Sequence, residues 1–133
     1  MIRIVLEGMH FHGHHGVFAE EARLGAAFVI DLELEVSPPL GDDLTSAVDY
    51  ARVYELVREI VTGERFRLIE ALAGRLGSVL LEREPLVRSL VVRVHKPHAP
   101  LPGVVDDVMV ELRLARDDVI ADRREGGAQP PGS

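Results

Sequence analysis

Four places along the chain hold residue types that can move a proton or grip a polar ligand: the histidines His10, His12, His14 and His15 with Glu20 and Glu21 beyond them, Asp49-Tyr50, Glu70, and Lys96. The lysine stands out by composition. Of the 15 basic residues only Lys96 is Lys, and the rest are Arg. Arg stays protonated at any working pH, whereas a Lys amine can be tuned to exchange protons, so a lone Lys in an Arg-rich chain invites a chemical explanation beside the plain one of chance. Lys96 also opens a segment stiffened by Pro97, Pro100 and Pro102. Such stiffness suits a positioned amine, and it equally suits the blocking of an exposed strand edge.

Glu70 lies between Ile69 and Leu72 where a helix should begin. A carboxylate there can simply favour the positive helix end, or it can accept two parallel hydrogen bonds from an amidine-like N–H pair. His10, His12 and His14 alternate and can share one strand face. They lack a recognised ligand spacing such as two His four apart on a helix, so polar packing or substrate contact is preferred and no functional metal is expected.

The elements that must position these groups follow from periodicity. Ile2, Ile4 and Leu6 alternate with polar or outward residues, and Phe28, Ile30, Leu32, Leu34 and Val36 alternate with Asp31, Glu33 and Glu35, which predicts two strands with one wet sheet face. Beyond Ser37-Pro38-Pro39 the spacing turns helical through Val53, Leu56, Val57, Ile60 and Val61, ending at Gly63. A second helix runs through Leu68, Ile69, Leu72, Ala73, Leu76, Val79 and Leu80 and stops before Pro85. Alternation returns in Leu90, Val92 and Val94 and in Val108, Val110, Leu112 and Leu114. The order is ββααββ. Short connections pair neighbouring strands antiparallel, so the expected fold is a two-layer α+β domain over residues 1–116, a four-stranded antiparallel sheet with both helices on its apolar face. Residues 117–133 end in a Gly- and Pro-rich stretch without periodicity and are expected to be disordered.

At 133 residues, 47% hydrophobic and 28% charged, the chain can bury one ordinary core. A net charge of −7 opposes a phosphate backbone, so nucleic acid is a poor partner. No apolar run reaches bilayer length and no basic stretch followed by an apolar segment opens the chain, which reads as a cytoplasmic protein without a membrane partner. The absence of Cys removes thiolate nucleophiles and cysteine-ligated metals.

Taken together the motifs resemble dihydroneopterin aldolase, over roughly residues 1–116. The resemblance is carried by Leu6-Glu7-Gly8-Met9, Phe11-His12-Gly13-His14-His15-Gly16, Glu21 with Gly25, Val48-Asp49-Tyr50, Leu68-Ile69-Glu70-Ala71-Leu72-Ala73, and Val94-His95-Lys96-Pro97 followed by Pro100-Leu101-Pro102-Gly103. It implies the tunnelling fold, in which the sheets of several subunits join into a barrel, commonly a homo-octamer with active sites between subunits. It implies retro-aldol cleavage of a reduced pterin, 7,8-dihydroneopterin, to 6-hydroxymethyl-7,8-dihydropterin and glycolaldehyde, with no cofactor, metal or Schiff base. By this resemblance Lys96 transfers protons, Tyr50 stacks and joins the proton relay, and Glu21 is a mobile loop acid with Glu20 a less favoured substitute. Glu70 grips the pterin's 2-amino and N3–H edge, and Ile69, Val48, Asp49 and Leu72 bind substrate or line the pocket or core. The family pattern commonly reads Phe-Tyr-Gly-Tyr-His-Gly where this chain has His12 and His14. Dihydroneopterin 2′-epimerisation and noncatalytic pterin or purine binding are the alternatives.

Overall fold

A computed structural model describes residues 1–118. The strands are β1 (Ile2–Gly13), β2 (Ala26–Val36), β3 (Val87–His95) and β4 (Met109–Ala115), paired antiparallel in the order β1-β2-β3-β4. The helices are α1 (Ala19–Leu24), α2 (Tyr50–Gly63) and α3 (Ile69–Arg83), with a 3-10 turn at Leu44–Ser46. The ββααββ order therefore stands, with one short helix inserted between the first two strands. The expected tail lies outside the described residues from residue 119 on, and residues 116–118 are helical.

Phe28, Ile30, Leu32 and Leu34 of β2 and Leu90, Val92 and Val94 of β3 form the floor of the core, and Val53, Val57, Val61, Leu72, Leu76 and Leu80 of the two long helices cover it. Burying these large apolar side chains is what makes the two layers cohere. The helix-free face is wet, as alternation requires. Glu33 pairs with Arg3 (3.1 Å) and with Arg93, and Arg93 reaches Glu111 at 2.8 Å.

Strand β1 departs from simple alternation. Its pairing with β2 shifts between Leu6 and Met9, where Gly8 takes φ +70° and donates its N–H to Asp31 Oδ1 at 2.7 Å. This bulge inserts a residue, so Met9 and Gly13 continue the buried face while His10 and His12 turn outward.

The two long helices run in opposite directions across the sheet. The N-terminus of α2 is tied to the C-terminus of α3 by Arg52, whose Nε and Nη2 donate to Glu84 at 2.7 and 2.8 Å. At the other end, Val61 near the close of α2 accepts a hydrogen bond from His15, just past β1, and Phe66 just before α3 bonds to the same ring. That second end is where β3 finishes, since Gly13 pairs with Ala26 and Val29 with His95.

Candidate active site

Lys96 continues the inward parity of Leu90, Val92 and Val94 at the tip of β3, and its N–H donates to Val108 O at 2.7 Å, extending the ladder by one step. Its side chain therefore enters the helical layer instead of solvent, and the residue is 8% exposed. A buried ammonium needs a partner, and it has one: Nζ forms an ion pair with Glu21 Oε2. Glu21 belongs to α1, which buries none of its residues. The carboxylate rests over Gly16, where any Cβ would overlap it, and its Oε1 accepts from Phe18 N–H at 3.3 Å.

His15 organises the wall beside this pair. The ring is fully buried, edge-on to Phe28 and stacked on Phe66. Nδ1 accepts from Phe66 N–H (3.1 Å), so the proton sits on Nε2, which donates to Val61 O (2.8 Å). Burial pushes this imidazole below its ordinary value despite the bond to Val61, with the Lys96 charge adding in the same direction. A neutral ring thus ties α2 to the segment leading into α3. Arg65 reinforces the tie, donating to His14 O and Gly16 O at 3.1 and 3.2 Å.

That segment delivers Glu70, in the first turn of α3, to the same end of the molecule as Lys96. Glu70 is exposed and borders a cavity of about 160 Å³ with Ala73, Val110, Glu111 and Leu112, along the free edge of β4. Ile69 beside it is nearly buried and Leu72 wholly so, and both pack in the core.

Val48, Asp49 and Tyr50 stand at the opposite end. Asp49 caps α2, its Oδ1 accepting from Ala51 and Arg52 N–H at 3.0 and 3.3 Å, Val48 is buried, and Tyr50 is 64% exposed. The length of α2 separates Tyr50 from His15 and Lys96. Within one chain, then, Lys96, Glu21 and Glu70 share an end and Tyr50 does not.

Residues 4–113 match the family model for dihydroneopterin aldolase (FolB). The chain belongs to the dihydroneopterin aldolase family. A dihydroneopterin aldolase of Streptococcus pyogenes serotype M18 is 42% identical over 119 residues, 87% of this chain and all of that one. Among solved structures, FolB of Vibrio cholerae superposes with a TM-score of 0.81 at 29% identity, covering 87% of this chain and 98% of that one. A Burkholderia dihydroneopterin aldolase bound to guanine gives 0.69 at 26%, covering 87% and 92%. The four-stranded antiparallel sheet with its helices is the tunnelling-fold subunit of that family.

Two features of this aldolase-family chain escape sequence reading. Helix α1 is too short to show periodicity. The second is His95, held between Asp107 and Asp31, each at 2.6 Å, on the helix-free face beside Lys96. Burial works against its charge, but the two carboxylates outweigh it and raise the imidazole above its ordinary value. The alternation of acids along β2 was a visible hint of such a partner for Asp31.

Proposed function

We propose that this protein is a cytoplasmic dihydroneopterin aldolase that cleaves 7,8-dihydroneopterin by general acid–base catalysis, without Schiff base or metal, in a homo-oligomeric ring of the octamer type. The observation that carries the reading is the buried Lys96 amine, paired with an acid on a helix that buries none of its residues and at the same end of the molecule as Glu70, exposed in the first turn of α3. Glu70 accepts the 2-amino and N3–H protons of the pterin as a bidentate pair. The guanine carried by the Burkholderia relative presents the same kind of amino and ring N–H edge.

In the proposed reaction Lys96, once it has passed its own proton to the paired Glu21, takes the proton of the C2′ hydroxyl through a water. The C1′–C2′ bond breaks, its electron pair forms the C1′=C6 bond, and the C6=N5 electrons pass to N5, which is protonated. Glycolaldehyde leaves. Return of a proton to C1′ and loss of one from N5 restore the C6=N5 bond and give the hydroxymethyl product. The pterin is its own electron sink, so the protein supplies only orientation and proton transfer. Tyr50 of a second subunit stacks on the ring and completes the relay, since its own chain holds it at the far end of α2.

The test is incubation of purified protein with 7,8-dihydroneopterin. Glycolaldehyde and the hydroxymethyl pterin in equal amounts are expected. Formation of a C2′ epimer without glycolaldehyde would reject the aldolase reading, and normal turnover by Lys96→Ala would remove Lys96 from the mechanism.

A further inference from the structure

Helix α1 carries the acid that covers Lys96, yet apart from that acid its sequence offers no buried side chain to hold it in place. It has six residues, buries none of them, and exposes Leu24 and the preceding Val17 and Phe18. A helix this short does not persist in water unaided. Besides the Glu21–Lys96 ion pair, two imidazoles fasten its backbone. His12 Nε2 bonds to Leu24 O and His14 Nδ1 to Ala22 O, each at 3.0 Å. A carbonyl only accepts, so both rings donate, His12 from Nε2 and His14 from Nδ1. The two rings meet edge to face with centroids 5.4 Å apart.

Gly25 makes the approach possible. It takes φ +75°, and a Cβ there would overlap His12 Nε2, lie 2.7 Å from Gly13 O and 3.0 Å from His14 Cε1. Its N–H closes the last turn of α1 on Glu21 O at 3.0 Å. The chain thus runs without slack from the imidazoles through Leu24 and Ala22 to the backbone of Glu21.

We propose that His12 and His14 are positioning residues that latch α1 to the end of β1 and thereby set how completely Glu21 covers Lys96. The inference deepens the proposed reaction and rests on Lys96 being its proton carrier. Neither histidine touches Lys96, and both act through α1. Unlatching would release Glu21 from Nζ and open the amine to small molecules.

The lone lysine makes this measurable without substrate. Reductive methylation of the purified full-length oligomer with formaldehyde and borohydride is followed by mass spectrometry on the Lys96 peptide. Each lost hydrogen bond is expected to speed modification roughly fivefold, and the double variant His12→Leu with His14→Leu about 25-fold, the effect of one net hydrogen bond applied twice. His12→Gln with His14→Asn restores a donor near each original nitrogen and should return the rate to within about twofold of wild type. An unchanged rate in the Leu pair, or a Gln/Asn pair as fast as the Leu pair, overturns the latch. Amide exchange of β2 and β3 on the same samples shows whether the fold persists. Should the Leu pair not fold, Gly25→Ala, which forces α1 away from the rings, must give the faster modification instead, and wild-type protection there refutes the proposal. If wild type cleaves no 7,8-dihydroneopterin while modification follows the latch, the reaction fails and the latch stands.

Discussion

Separation of Tyr50 from Lys96 within one chain gives a sharp test of the shared site. From Tyr50 to Val61, whose carbonyl binds His15 at the Lys96 end, α2 climbs roughly 16 Å. That is several times the span of a hydrogen bond, about 3 Å, so the proposed site takes the two groups from different chains. Lys96→Ala and Tyr50→Ala are therefore each expected to lower turnover by about a hundredfold or more, as loss of a proton-transfer group does. Co-expression in equal amounts should then revive activity. A site with both groups intact takes its Lys96 from a Tyr50→Ala chain and its Tyr50 from a Lys96→Ala chain, and random assembly produces about a quarter of such sites. Product formation per subunit should reach about a quarter of wild type, measured as glycolaldehyde release. A mixture no more active than the average of its parents would mean that each site is built from one chain, and the argument from the length of α2 would fall.

Three further outcomes follow from the same structure. Stability at fixed protomer concentration should peak near the ordinary imidazole value of 6.5. Burial depresses His15, so its contribution is complete above 6.5 and is lost on acidification, by up to about 1.4 kcal/mol per pH unit. The carboxylates around His95 raise it, so its contribution is complete below 6.5 and fades as pH rises through its folded value; denaturation of His95→Gln should lack that alkaline decline, and an unaltered decline would discard the assignment. Glu70→Gln replaces one acceptor with a donor, and calorimetry with neopterin or guanine should show binding weakened by about tenfold or more, while equal affinity would exclude Glu70 as the ligand carboxylate. Gly74→Ala in α3, with nothing within 4 Å of the added Cβ, should stabilise the protein by about 0.5–1 kcal/mol in urea titration; destabilisation would reveal a partner packed on that face.

Sequence and structure agree wherever periodicity is enforced by a buried face. Leu32 and Val92 are unexposed floor residues, and Val57 and Leu76 are their unexposed cover, so hydrophobic spacing alone identified β2, β3, α2 and α3. Lys96 was legible for another reason, as a chemical type that occurs once. The bulge at Gly8 was not, because its cause is a bond to Asp31 on a neighbouring strand, 23 positions away. Helix α1 was equally hidden, since its anchors are imidazole-to-carbonyl bonds and leave no apolar repeat. His15 read as one of a cluster, although its ring is buried and its neighbours' rings are not, a difference set by which side of the chain turn each occupies.

These two kinds of anchoring have different consequences for the proposed chemistry. A buried ammonium is costly unless compensated, and Glu21 compensates Lys96. In the proposed reaction a substrate's polar side chain must approach the same amine. Glu21 must therefore be both a good partner and a removable one. Were α1 held by apolar burial like α2, moving it would expose core, and exchange with substrate would compete against the stability of the fold itself. Held instead by a few polar bonds over a surface with no buried residue, it can shift while β2, β3, α3 and the His15 tie stay fixed. The economy of apolar contacts in α1 is then a requirement of a site whose amine must be shielded when empty and reachable when occupied.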